Sequence, residues 1–156
     1  MQSGKPSVDE DDRKILREVQ RDCTRALDRI AERVGLSRTT VWNRMQKLVE
    51  SGTILRQAAI IDPRMVGLDQ TFFITIRTSR HDIEWLETFR KAVTDMPQIT
   101  EAHRLAGTTD YLLKVQVAST EAFDSFYKDL VSRIPIFDVS SSLSMETMKR
   151  SLDLEI

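Results

Sequence analysis

Residues 24–54 read TRALDRIAERVGLSRTTVWNRMQKLVESGTI, and this stretch decides how the start of the chain folds. Leu27, Ile30, Ala31 and Val34 recur at helical spacing and predict a short amphipathic helix. Gly35 breaks the pattern, and Ser37 offers a hydroxyl to cap a second helix. Val41, Met45, Leu48 and Val49 predict the buried stripe of that second helix, which Gly52 ends. Two short helices joined by a tight glycine-containing turn make a helix-turn-helix, whose second helix has the size to enter a DNA major groove. A purely structural helix pair shares the pattern, so the flanking sequence has to arbitrate.

Upstream, Asp12 can cap a further helix with Ile15, Leu16 and Val19 as its buried stripe. Arg13, Arg17 and Arg21, spaced by four, lie on its other side. Residues 1–8 carry Ser3, Gly4, Pro6 and Ser7 and predict a loose arm. Downstream, Ile54, Arg56, Ala58 and Ile60 alternate with Leu55, Gln57, Ala59 and Ile61. This predicts a strand, in the position of the wing or connecting strand of a winged helix. Asp62-Pro63 and Gly67 interrupt the chain. The expected division is a winged helix-turn-helix over 9–60, a linker over 61–69 and a second domain over 70–150.

Charge supports a division of labour. Residues 1–60 carry 12 Lys/Arg against 9 Asp/Glu, net +3, and residues 61–156 carry 11 against 15, net -4. Between Leu36 and Ile60 stand Arg38, Arg44, Lys47 and Arg56 against Glu50 alone. Positive charge therefore gathers where DNA phosphates would be met. Asp9, Asp11 and Asp12 are read as helix N-terminal charge. Cys23 is the single cysteine, so no intrachain disulfide is possible, and its default role is an inert thiol. Residues 1–12 are polar and acidic and no apolar run approaches 18 residues, so a cytoplasmic protein without a membrane span is expected.

Beyond the joint the pattern changes. Residues 71–76, TFFITI, predict a strand. A helix follows, with Asp82 or Arg80 near its start, with Ile83, Leu86, Phe89 and Val93 inward, and with the Arg90 stem packed down. Residues 99–105 and Tyr111 to Val117 predict two more strands around the Gly107-Thr108-Thr109 turn. Ser119 or Thr120 begins a helix with Phe123, Phe126, Tyr127, Leu130 and Val131 inward, and Val139 to Met148 predicts a last strand. The order β-α-β-β-α-β is the split βαβ, ferredoxin-like pattern: an α+β domain with a four-stranded antiparallel sheet and two helices on one face. The other sheet face needs cover, and two such sheets could bury one another, so a homodimer is expected.

The chain resembles the Lrp/AsnC family, the feast/famine transcriptional regulators of bacteria and archaea. The resemblance rests on DEDDRKIL (9–16), IAERVGLS (30–37), TVWNRMQKL (40–48), Gly52 to Ile54 and GTTDYLLK (107–114), in the family's order. Asp22-Cys23-Thr24, Glu84-Trp85 and Ser141 to Met145 resemble the branch containing a cysteine-responsive regulator. The resemblance implies a regulator that binds double-stranded promoter DNA and whose second domain binds a small amino-acid effector. It also implies a homodimer assembling further into a tetramer or octamer. In the family the G-x-x-D-Y hairpin lines the effector site between dimers. The matching positions here are Gly107, Asp110 and Tyr111.

Expected roles follow residue by residue. On the helix from Arg38 to Ser51, Thr39, Thr40, Asn43, Arg44 and Lys47 face outward. Ser37, Arg38 and Lys47 would position the DNA backbone. Thr40, Asn43 and Arg44 would meet base edges, asparagine suiting adenine and arginine guanine. Trp42 is expected to pack at the helix edge. For the effector, Arg104, Gly107, Thr108, Thr109 and Asp110, on the hairpin joining the two central strands, offer a cation, close backbone approach, hydroxyls and a carboxylate. His81 and His103 lie far apart, and there is no metal-ligand spacing, no nucleophile elbow and no phosphate-binding glycine loop, so neither cofactor nor enzyme activity is expected. The competing reading is a regulator of the same kind with a vestigial effector site that does not respond to an amino acid.

Overall fold

The computed structural model describes residues 8–80 and 82–156. The expected arm over 1–8, except Val8, and His81 lie outside the described residues. The described residues form two compact units, residues 8–60 together with 149–156, and residues 61–148.

In the first unit, helices α1 (Glu10–Arg21), α2 (Leu27–Val34) and α3 (Arg38–Glu50) close around Ile15, Val19, Ile30, Ala31, Val34 and Val41, with Leu27, Leu36 and Met45 packed against them. Gly35 ends α2 in the left-handed region at φ 73°, where a Cβ would be strained, and so sets the sharp turn into α3. Ser37 caps α3, its Oγ accepting from the Thr40 N–H at 3.1 Å.

The cap of α1 differs from expectation. Asp9 occupies it, and Asp12 answers from the third helical position. The Asp12 N–H donates to Asp9 Oδ1 at 2.9 Å and the Asp9 N–H to Asp12 Oδ2 at 3.2 Å, a reciprocal capping box that satisfies two orphan donors at once. Leu16 and Val49, expected inward, are half-buried and exposed. Glu18 takes the inward place beside Val19, and the apolar residues that α3 turns inward are Val41, Met45 and Leu48.

No strand forms over residues 54–61, so the expected wing is absent from the described residues. The alternation there is real, but a strand needs a partner strand to take its backbone hydrogen bonds, and among the described residues that segment pairs with none, although the Ile54 N–H donates to the Leu48 carbonyl at 2.9 Å. Leu55, Ile60 and Ile61 are exposed instead.

The second unit opens with a short 3-10 turn, Pro63–Val66. Strands β1 (Gln70–Arg77), β2 (Ile99–Arg104), β3 (Tyr111–Val117) and β4 (Asp138–Leu143) form one antiparallel sheet in the order β2-β3-β1-β4. Helices α4 (Ile83–Asp95) and α5 (Thr120–Arg133) connect β1 to β2 and β3 to β4. This is the expected split βαβ arrangement, with one correction: β1 and β3 are the central pair, so the 105–110 hairpin joins edge strand β2 to central strand β3.

The core lies between one sheet face and the two helices, with Phe72, Ile74, Ile76, Leu113, Val115 and Val117 from the sheet against Trp85, Phe89, Phe126 and Leu130. The inner face of α4 is therefore Trp85, Phe89 and Ala92. Leu86, Phe89 and Val93 pack inward as expected, but Ile83 points outward and Arg90 is exposed, because Trp85 and Ala92 take the rest of the inner face. Trp85 Nε1 donates to the Pro135 carbonyl at 3.0 Å, which lets the indole sit in the core without an orphan donor. On α5, Val131 is exposed and Ile134 buried, and β4 ends at Leu143 rather than Met148. No described helix is long and apolar enough to cross a membrane.

Candidate nucleic-acid interface and effector hairpin

Helix α3 divides its side chains by partner. Val41 and Leu48 are buried, and the opposite side presents Thr39, Asn43 and Lys47 at intervals of four, all exposed. No side-chain hydrogen bond or ion pair engages Thr39, Asn43 or Lys47 among the described residues, so this row is free to meet a ligand. Trp42, half-exposed, and Gln46 flank it. Arg38, also exposed, lies 3.5 Å from Asp28, a surface pair that water and salt weaken readily. Ser37 and Thr40 are held to each other, Oγ to Oγ1 at 2.8 Å, at the N-terminus of α3, and Thr40 is half-buried.

Arg44 departs from expectation. Its guanidinium turns back onto the start of α1, Nη1 donating to Asp9 Oδ2 at 2.7 Å and to Asp12 Oδ1 at 2.8 Å, with Asp11 Oδ2 3.7 Å from Nη2. Both N–H groups of Nη1 are thereby used, and the side chain is 28% exposed. These carboxylates raise the Arg44 pKa, and the Asp12 N–H and then Arg44 lower that of Asp9. The arginine expected to read a base is an intramolecular clasp in this structure.

A second charged cluster centres on Glu18. Glu18, nearly buried, receives Arg21 at 3.4 Å, Arg33 at 3.2 Å and Arg25 in a short contact, and so ties α1 to the following turn and to α2. The signal available in the sequence was an acid on the inward phase of α1 with arginines at 21, 25 and 33. Residues 149–156 return to α1, where the Gln20 side-chain amide donates to the Leu154 carbonyl at 3.1 Å and accepts from the Leu154 N–H at 2.7 Å.

In the second unit the 105–110 hairpin closes with the Leu105 N–H donating to the Asp110 carbonyl at 2.8 Å. Asp110 is not a free carboxylate: its Oδ2 accepts from the Thr78 N–H at 2.8 Å, and its own N–H donates to the Ile76 carbonyl at 3.0 Å. It buttresses the end of β1. Arg104 pairs in register with Tyr111 at the mouth of the hairpin and is exposed, with no ion-pair partner among the described residues. Thr108 is exposed and Thr109 half-buried, and neither makes a side-chain hydrogen bond among the described residues. His103 and Lys114 meet Glu101 on the sheet face away from the helices, at 3.6 and 2.6 Å, and Lys114 is the main reason the Glu101 pKa is lowered.

A three-helix unit with a cation-bearing row on its third helix, without side-chain partners among the described residues, joined to a split βαβ unit, is the makeup of a helix-turn-helix protein with an appended α+β domain. Comparison with known proteins gives the family. The model of the AsnC-type helix-turn-helix domain matches residues 8–49, and that of the Lrp/AsnC ligand binding domain matches residues 71–154. The chain belongs to the Lrp/AsnC family of transcriptional regulators, which are not enzymes. It is 41% identical over 150 residues to the DNA-binding transcriptional activator DecR of Escherichia coli K12, covering 96% of this chain and 99% of the relative. It is 41% identical over 149 residues to the glutamate uptake regulatory protein of Zymomonas mobilis, covering 96% and 91%. Among solved structures, an AsnC family transcriptional regulator from Agrobacterium tumefaciens superposes with a TM-score of 0.89 at 45% identity, covering 94% of this chain and 96% of that one. A Neisseria meningitidis transcriptional regulator in complex with L-Met superposes with a TM-score of 0.88 at 29% identity, covering 96% and 97%. The chain is thus a DNA-binding transcriptional regulator of the Lrp/AsnC type.

Proposed function

We propose that this regulator binds promoter DNA as a homodimer through the outward row of α3, and that a small amino acid held at the Arg104–Asp110 hairpin alters its assembly and so its promoter binding. The observation that carries the DNA part is the partner-free row Thr39, Asn43 and Lys47. Asn43 and Thr39 meet base edges, while Lys47, Arg38 and the capped N-terminus at Ser37 and Thr40 hold phosphates. The dimer part rests on the sheet face opposite the helices, where Phe73 and Ser142 are exposed and Thr71, Thr75 and Leu112 half-buried. A second copy would cover it, and tetramers or octamers of such dimers would set the spacing of the DNA-binding units.

The effector part rests on three groups. Arg104 is an exposed cation suited to a carboxylate, Gly107 allows close backbone approach, and Thr108 and Thr109 carry unengaged hydroxyls. Asp110 serves this site by shaping the hairpin. The L-Met complex of the Neisseria relative supports an amino-acid ligand. The resemblance around Asp22-Cys23-Thr24 makes cysteine a leading candidate.

Calorimetry of the full chain with a panel of L-amino acids, including cysteine, methionine and leucine, tests the site. Uptake of at least one that is lost in Arg104→Ala, with duplex binding retained, is the expected outcome. A chain that binds duplex DNA but gives no heat with any amino acid has a vestigial site, the reading that the commitment of Asp110 to Thr78 favours.

A further inference from the structure

The start of α1 and the middle of α3 form one wall of a cleft of about 520 Å³ whose lining includes Asp9, Asp12, Asn43, Arg44 and Lys47. Two residues of the DNA-facing row, Asn43 and Lys47, thus share a cleft with two carboxylates. Acids beside a phosphate-binding row oppose DNA unless something neutralises them. Arg44 offsets one of these two charges, sitting between Asp9 and Asp12 with Asp11 nearby, while Lys14 engages Asp11 at 3.1 Å.

The clasp also has a mechanical consequence. Asp9 and Asp12 are the two halves of the α1 capping box. Arg44 grips both, so the pitch of α3 is keyed to the first turn of α1. A guanine edge competing for this guanidinium would have to replace ionised acceptors with neutral ones, which are the weaker partners for a charged donor.

We infer that Arg44 is a positioning residue for DNA binding, not a base reader: with Asp9 and Asp12 it fixes the recognition helix on α1 and halves the acidic charge that would otherwise repel the phosphates. This rests on the DNA-binding mode proposed above, and it assigns the start of α1 a part in recognition.

The consequences separate cleanly from those of a base contact. Losing a base contact relaxes preference at one position of the site. Losing the clasp exposes carboxylates and loosens α3, so affinity falls for every sequence alike. It also predicts suppression: if the harm lies in uncompensated acids, neutralising them repairs it. Asparagine at position 9 still caps a helix well, so the repair keeps the α1 N-terminus.

The experiment uses the full chain and random-sequence duplexes from which the unmutated protein selects its preferred site. Affinity and base-preference profile are measured for the unmutated chain, Arg44→Gln, Arg44→Lys and the triple variant Asp9→Asn, Asp12→Asn, Arg44→Gln. The expected result is a loss of roughly tenfold in Arg44→Gln on preferred and scrambled duplexes alike, with an unaltered preference profile. Arg44→Lys, which keeps the cation and loses the bridging reach, falls in between with the same profile. The triple variant recovers most of the affinity. An Arg44→Gln or Arg44→Lys protein that loses preference at a single base position overturns the inference, as does a folded triple variant that binds no better than Arg44→Gln. Should Arg44→Gln fail to fold, the profile of Arg44→Lys decides. If the unmutated chain retards no duplex at all, it is the proposed DNA-binding mode that has failed.

Discussion

Replacing Glu18 with glutamine should loosen the whole DNA-binding unit and leave the sheet unit untouched. Glutamine keeps the shape and one acceptor, so the change removes charge alone. The Glu18–Arg25 pair is the best shielded of the three, its side chains 12% and 23% exposed, whereas Arg33 and Arg21 are 55% and 63% exposed. A shielded charge-assisted bond contributes about 1.5–3 kcal/mol, and each exposed pair about 0–1 kcal/mol. Allowing for the bond glutamine retains, the loss should be roughly 2–3 kcal/mol. A unit of this size holds only about 3–9 kcal/mol in total, so the effect is large. Hydrogen exchange on the full chain reads the two units separately. Amides of α1 and α2 should exchange about 30–150-fold faster, and those of β1 and β3 at their original rates. Acceleration of less than about threefold in α2 would show that the cluster is decorative and that the apolar core alone holds the three helices.

Other perturbations bear on single links. Ser37→Ala removes the α3 cap and should cost about 1 kcal/mol in urea unfolding of the first unit; no change would mean the Thr40 N–H finds water at no cost. Asp110→Ala leaves the buried Thr78 N–H without its acceptor and should destabilise the second unit by about 1–3 kcal/mol, whereas a loss of amino-acid uptake at full stability would restore Asp110 to the effector site. Acid should weaken the protein through its caps and ion pairs. The pKa of Asp82 is lowered chiefly by the Arg80 guanidinium, that of Asp9 by the Asp12 N–H and that of Asp129 by Arg133, all from an ordinary value of 3.8. The unfolded chain therefore takes up protons first. The stabilisation is complete above about pH 5 and drains away as pH falls through the lowered values, so the melting temperature should drop steadily below about pH 4. A melting temperature that holds or rises as pH is taken from about 5 to about 3 would contradict this.

What was legible in the sequence was periodic. The apolar spacing from Leu27 to Leu48 marks the helix pair and the Gly35 turn between them. The β-branched runs at 71–76 and 111–117 mark the two central strands, because burial on one face imposes a repeat that a single chain displays. What was not legible depends on partners distant along the chain. Nothing in the repeat says that Trp85 outranks Ile83 for the inner face of α4, since the cavity it fills is shaped by Phe89, Tyr111 and the carbonyl of Pro135. Arg44 illustrates the same limit in the site. Helical geometry allowed it to face outward, but its long side chain reaches acids 32 and 35 residues away. The strand expected at 54–61 shows the converse: the pattern is present, and the neighbour that would make it a strand is absent among the described residues.

The salt dependence of duplex binding by the full chain tests the central claim, that the Thr39–Asn43–Lys47 row enters the major groove. Binding should strengthen steeply as salt is lowered, with log affinity linear in log salt, and Lys47→Ala should lower that slope by about one while weakening all sequences alike. A chain that ignores duplex DNA even at low salt, or a Lys47→Ala protein with the original slope, would contradict it.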